Sequence, residues 1–293
     1  MDAPETDVKM PLMEHLVELR KRLMWSFLTL VILTFVFYAF AENIYQFLVH
    51  PLAQAYQELG ASSPRMIFTA LHEAFFTYIK VAFFTAAFVS FPVFASQLWI
   101  FVAPGLYKNE KGAFAPFLIA TPILFLMGGA FVYYFVMPVA WRFFLGFQGG
   151  APEGGLAIEL EAKVNEYLSL AMRLIFAFGL CFELPVVMTL LARVGLATSK
   201  GMKEKRKYAV VAAFVVAAVL TPPDPLSQIG LAIPTILLYE ISIICARFVE
   251  KGRAEREEND GDDGGDRPSG SADPYEDDDG MQEETDFNEG RKP

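Results

Sequence analysis

The sequence predicts an all-α membrane protein: six transmembrane helices in a concave bundle, both termini on the cytoplasmic side, with helices five and six short. Three observations carry this reading. First, 54% of the 293 residues are hydrophobic. They fall in long charge-free stretches instead of alternating with polar residues as in a soluble domain. Second, the basic residues collect in alternate connecting segments. Third, the last two apolar arms are 16 and 15 residues long, about 24 Å each at the helical rise and short of the ~30 Å hydrocarbon core.

The net charge of −10 describes one segment. Residues 251–293 hold 16 acidic and 6 basic residues, whereas residues 1–250 balance at 18 of each. Three segments follow: a cytoplasmic N-terminal amphipathic segment (1–22), a membrane domain (23–250) and an acidic tail (251–293) too poor in apolar residues to offset its ordering entropy. No basic stripe suggests nucleic acid. Cys181 and Cys245 sit in apolar stretches without a CxxC motif and read as small buried hydrophobes. The three histidines are scattered, so neither metal nor cofactor is expected.

The first span is predicted over Leu23–Ala41, 19 uncharged residues. It follows Arg20, Lys21 and Arg22 in the manner of a secretory signal, but the run is long and no small-residue cleavage site follows, so it reads as a retained helix. Residues 42–73 form an extramembrane segment. The second span includes Val81–Ala103, with Lys80 placed to snorkel. The third lies within 112–141, the fourth over about 164–192, and the fifth and sixth over about 208–221 and 226–246. Placing the N-terminus inside gives the inner segments 16 Lys and Arg against 3 (Arg65, Arg142, Lys163) outside. That asymmetry sets the orientation, and an even number of spans returns the C-terminus to the same side.

Four features could carry chemistry. Leu12, Leu16, Leu19 and Leu23 make one apolar stripe on the otherwise charged stretch 11–23, as in an interfacial helix leading into the first span. Such a helix accounts for Arg20–Arg22 but not for Glu14 and Glu18, which gain nothing beside an anionic leaflet. Between spans two and three, QLWIFVAPGLYKNE (97–110) places Glu110 at the water–lipid boundary, where a carboxylate can bind a guanidinium bidentately. Trp99, Phe101 and Tyr107 equally suit an interfacial aromatic belt. Glu183 lies about 15 Å from the inner end of span four, near the midplane, with no partner on its own helix and Arg173 too distant to pair. It needs a group from another helix, water or a partner protein; otherwise it is a protonated structural carboxyl. Asp224 sits at the apex of the TPPDP turn joining the short arms, where a turn-former is also expected.

No P-loop, GxGxxG, GxSxG or HExxH motif occurs, and no nucleophile–base pair or metal constellation supports a membrane enzyme. A solute transporter using Glu183 and Arg173 as a relay is the leading rival, but spans one to three offer few polar groups to line its cavity.

The motifs HLVELRKRL (15–23), QLWIFVAPGLYKNEK (97–111), FGLCFELPV (178–186) and TPPDPLSQ (221–228) together resemble TatC, the multi-spanning component of the twin-arginine protein translocase. The resemblance covers about residues 10–250, in order and with matching spacing. It implies six spans in a glove-like bundle of the bacterial inner membrane, with no enzymatic activity. It also implies recognition of the twin-arginine signal peptides of folded precursors at the cytoplasmic face, and assembly with single-span TatA and TatB partners into a multimeric translocase driven by the proton-motive force. By the same resemblance Glu18, Arg20, Phe101 and Glu110 belong to signal-peptide binding, Glu183 faces a polar residue of a partner helix, and Asp224 is the functional acid of the outer hairpin. Pro51 and Pro104 match turn prolines.

Overall fold

The computed structural model describes residues 12–60, 65–102, 115–148, 160–220 and 225–262. The chain divides into two units, Met1–Arg253 and Ala254–Pro293; of the second, only helical residues 254–262 are described.

The elements are α1 (Leu12–Tyr38), α2 (Ala41–Glu58), β1 (Met66–Ile67), α3 (Glu73–Val102) and α4 (Ala115–Phe131). A π-turn (Val132–Val136) leads into α5 (Met137–Leu145), then β2 (Ala162–Lys163), α6 (Val164–Phe182), α7 (Leu184–Arg193), α8 (Ser199–Glu204), α9 (Arg206–Leu220) and α10 (Pro225–Asp262). Five stretches are long and apolar enough to cross a membrane: Leu16–Tyr38, Glu73–Leu98, Pro116–Leu145, Val164–Arg193 and Gln228–Gly252. The protein is a multi-pass helical membrane protein. The predicted fifth span is α9, whose 15 residues make a rod of about 22 Å.

Several boundaries differ from the sequence reading. The interfacial helix and first span are one continuous helix, α1. Its leucine stripe is not a core face, because Leu16 and Leu23 are more than half exposed. In lipid an apolar outer face needs no protein cover. The extramembrane segment after span one is largely helical, and Pro51 lies inside α2, not in a turn. Helix α10 runs to Asp262, about three turns beyond the expected start of the tail at Lys251, because Ala, Glu and Arg dominate those residues and favour helix.

Pro51 explains how α2 is held. Proline has no N–H, so the carbonyl four residues back, that of Phe47, loses its helical donor. The Tyr133 hydroxyl replaces it, donating to Phe47 O at 2.7 Å, while the two rings stack at 4.3 Å and 5°. Beside it, Tyr167 donates to Leu48 O at 2.8 Å, and Tyr56 donates to Leu160 O at 3.0 Å. Three tyrosines thus fasten α2 to the bundle and to the segment before β2. The parallel pairing of Met66 with Ala162 and of Ile67 with Lys163 brings the segments preceding α3 and α6 to the same end of the bundle.

The core centres on α4 against α6. Phe125 is fully buried and stacks on Phe91 at 3.7 Å, with Phe88 at 4.8 Å and Phe176 edge-on at 5.6 Å. Two glycines allow this approach. A Cβ on Gly128 would lie 2.6 Å from the Phe178 carbonyl oxygen, and one on Gly179 would lie 2.6 Å from the Phe125 ring. Close backbone approach at small residues is how helices gain packing energy in lipid, where burial against lipid tails gives little.

Helix α7 ends in a Schellman motif. Gly195 takes φ +81°, its N–H donates to Ala192 O at 3.1 Å, and Leu196 N–H donates to Leu191 O at 2.9 Å. Downstream, the Thr198 side chain caps α8 by accepting from Gly201 N–H at 3.1 Å. Ser199 N–H and the Glu250 carboxylate (2.6 Å) tie α8 to α10, as does the Tyr239 hydroxyl donating to Met202 O at 2.8 Å.

Two outcomes are expected. Gly128→Ala must push the α4 and α6 backbones apart and should cost about 1–3 kcal/mol, measured as reduced thermal stability in detergent. Tyr133→Phe keeps the stack but leaves the Phe47 carbonyl unmet, a loss of about 1–3 kcal/mol in the same measurement; an unchanged midpoint would show that Pro51 needs no compensation.

Candidate functional site

Two polar sites stand out in an otherwise apolar bundle. The first lies where the early turns of α1 meet the end of α3. Glu18 and Arg22 are one helical turn apart and form an ion pair, with Arg22 Nε donating to Glu18 Oε1 at 3.0 Å. Arg22 Nη1 also donates to Gln97 Oε1 at 3.3 Å. The pair is part-buried, with side-chain exposures of 25% for Arg22 and 31% for Glu18, so it is less screened than a surface pair. Phe101 lies one turn beyond Gln97 on α3 and is half-buried. The spacing of four puts Phe101 on the same face of α3 as Gln97, one turn further along.

Glu18 and Phe101 therefore share one end of the α1–α3 pair. Arg20 does not join them. It is exposed and, with Lys21 and the leucine stripe, lines a shallow groove along the outer side of α1. Glu18 is not an open carboxylate either: it already holds a guanidinium from its own helix. Glu110 lies outside the described residues, as do Pro104 and Asp224.

The second site is Glu183. Helix α6 stops at Phe182 and α7 begins at Leu184, with Glu183 between them at φ −75° and ψ −13°. The break follows from Pro185 in the first turn of α7, which cannot donate to the Cys181 carbonyl. The Val187 N–H donates to Glu183 O at 2.9 Å, so the chain resumes as helix at once. The carboxyl is buried, 7% exposed, and is hydrogen-bonded to the side chain of Thr121 on α4. Its Oε1 has no hydrogen-bond partner among the described residues. Buried carboxyl oxygens are costly to leave unmet, and this one lies inside the span Val164–Arg193, ten residues before its end. Arg173 faces elsewhere, exposed in a groove among α6, α7, α9 and α10. The two ionisable groups of this span serve different surfaces, which removes the geometric basis for a Glu183–Arg173 relay.

Sequence reasoning missed Arg22, Gln97 and Thr121 as partners. Arg22 is placed one turn from Glu18, and that spacing could have signalled an internal pair. The kink was legible in Glu183-Leu184-Pro185. Thr121 carried no signal beyond being a polar residue in an apolar stretch.

A family model described as "Sec-independent protein translocase protein (TatC)" matches residues 14–234. The chain is 50% identical over 253 residues to a Sec-independent protein translocase protein TatC of Magnetococcus marinus, covering 86% of this chain and 90% of that one. It is 45% identical over 240 residues to the protein of that name in Rickettsia prowazekii, covering 82% and 94%. Among solved structures it is similar to a crystal structure of the twin arginine translocase receptor TatC. The TM-score is 0.70 at 34% identity, over 80% of this chain and 99% of that chain. With a family model spanning most of its membrane helices and relatives matched over nearly their whole length, the chain belongs to the TatC family of Sec-independent protein translocase proteins.

Proposed function

We propose that this chain is the receptor subunit of a twin-arginine translocase. It binds the twin-arginine signal peptides of folded precursors at the cytoplasmic face and, with TatA- and TatB-type single-span partners, supports their export on the proton-motive force. The observation that carries the first part is the polar cluster of Glu18, Arg22 and Gln97, with Phe101 one turn further along α3. A twin-arginine signal brings two permanent cations and ten N–H donors to the membrane surface. Carboxylates in a partly desolvated setting, beside an aromatic face that can stack on guanidinium, match that chemistry. Glu18 would receive a signal arginine by exchange with Arg22. Glu110 belongs to the same receptor edge by its place in the sequence, and Arg20 helps anchor α1 at the interface.

The proposed setting is the bacterial inner membrane with six spans, both termini cytoplasmic. Helix α9 is the fifth crossing and α10 the sixth, residues 1–22 the cytoplasmic lead and the residues after the membrane domain a cytoplasmic tail. The β1–β2 pairing supports the topology, since two crossings must separate segments on one side. The three basic residues of the loops on that side are ion-paired, Arg65 with Glu161 at 2.6 Å, Arg142 with Glu58 at 2.6 Å and Lys163 with Glu166 at 3.4 Å, and Lys80 of α3 donates to Asn165 Oδ1 at 2.6 Å.

Glu183 is the proposed contact for a partner helix. Its Oε1 lacks a hydrogen-bond partner among the described residues, and a polar side chain from a single-span protein would supply one. Asp224 is proposed as the functional acid of the outer hairpin. The chemistry needs no cofactor, and nothing in this role requires bond-making.

Crosslinking of a twin-arginine peptide to single cysteines near Phe101 tests the receptor edge. Glu110→Gln and Phe101→Ala should each reduce the yield about tenfold, the loss of one charge-assisted or stacking contact; unchanged yields reject the assignment. For Glu183, Glu183→Ala should reduce co-purification of single-span partners while leaving peptide crosslinking intact. Glu183→Gln, which keeps hydrogen-bonding capacity, should restore much of it. Full assembly of the alanine variant would make the carboxyl structural.

A further inference from the structure

A groove of about 580 Å³ runs between α6–α7 and the α9–α10 hairpin. Its floor is apolar, formed by residues such as Leu180, Leu184, Ala212 and Val216. Its neutral polar groups are already engaged: Thr235 donates to Leu231 O at 2.8 Å, and Tyr239 donates to Met202 O at 2.8 Å. One group differs. Arg173 lines the groove as its single charged residue, is exposed, and has no ion-pair or hydrogen-bond partner among the described residues. Its depth is also unusual. It lies nine residues into α6, about 14 Å along the axis, where a lone guanidinium in hydrocarbon is costly. Yet Leu220, the last residue of α9, lines the same groove, so Arg173 is level with the end of the short hairpin.

We propose that this groove binds one membrane phospholipid, with its phosphodiester on Arg173 and an acyl chain along α9. The occupant must be apolar over its length with one anionic end, because among the described residues the groove offers one unmatched cation and no unmatched neutral donor. From Ala209 to Leu220 the groove follows α9 for about 16 Å, close to the ~15 Å of a single leaflet. A helix is about 10–12 Å across with its side chains; over this length it needs more room than the groove offers and would sit on it, not in it. Guanidinium is the cation suited to planar, bidentate recognition of phosphate. A headgroup held here is drawn down to the hairpin tip, so the bilayer is thinned on this face by a specific contact as well as by the short helices. The site is independent of signal-peptide recognition.

The test is native mass spectrometry of the detergent-purified full chain titrated with phosphatidylglycerol and, separately, with diacylglycerol carrying the same tails. The intact chain should hold one phosphatidylglycerol about tenfold more tightly than diacylglycerol. Arg173→Gln should abolish that preference and Arg173→Lys should keep part of it. Ala212→Trp, which fills the groove and leaves the cation, should lose the lipid while the protein still elutes as a folded species. Twin-arginine peptide crosslinking should be unchanged in all three, so failure here is distinct from failure of the receptor reading. Equal binding of both lipids overturns the proposal, as does wild-type lipid binding by Arg173→Gln. So does an Asp224→Asn variant that reproduces the Arg173→Gln loss, since the cation then serves the hairpin turn. In-cell photocrosslinking from position 212 to a single-span protein in place of lipid assigns the groove to a helix and overturns it too.

Discussion

The contact on which the bundle depends is the backbone approach of α4 and α6 at Gly128 and Gly179. The two helices run antiparallel, so this contact sets the register above and below it. One turn from Gly179 the register brings Thr121 of α4 against Glu183. Between Thr121 and Gly128 it seats Phe125 among Phe88, Phe91 and Phe176. A methyl group at either glycine would part the helices at the level where a buried carboxyl needs a neighbour. Glu183 is thus a consequence of packing as well as of sequence: its depth is given by its place in the span, but its single protein partner is given by the crossing.

The same logic governs the prolines. In lipid a carbonyl without a donor cannot turn to water, so a proline inside a helix frees a carbonyl that a neighbouring side chain can meet. Pro51 frees Phe47 O, and Tyr133 meets it from the next layer. Pro185 breaks the span at Glu183, whose Oε1 has no hydrogen-bond partner among the described residues. One proline has become a point of attachment; the other leaves a position open. The proposed partner helix would complete at Glu183 what Tyr133 completes at Phe47.

Much of the architecture was legible in the sequence. Charge-free runs located each long helix, although α1 and α3 begin eight or more residues earlier and α10 ends well later than those runs, and basic residues pointed to the proposed orientation. Burial was less legible. The leucine stripe from Leu16 to Leu23 has the period of a core face but lies outward, because hydrophobic periodicity cannot distinguish a lipid-facing side from a protein-facing one. Helix α10 continued past Lys251 because charge density signals a tail while Ala, Glu and Arg still favour helix. For the site, residue types identified Glu18, Phe101 and Glu183 as noteworthy. Pairing was hidden: that Arg22 holds Glu18 and reaches Gln97 depends on α1 lying against α3, and Arg173 gained significance only when the end of α9 was found beside it.

The shortness of α9 bears on how the protein is made. A 15-residue arm is a poor stop for an insertion machinery that releases segments into the bilayer one at a time. Its first residue, Arg206, bonds Glu240 of α10 at 2.5 Å, which clasps the open end of the hairpin. The two arms therefore suit entry together, as a preformed pair laid against a wall already built by α6 and α7. Biogenesis of this chain would then finish with a docking step rather than a sixth independent insertion.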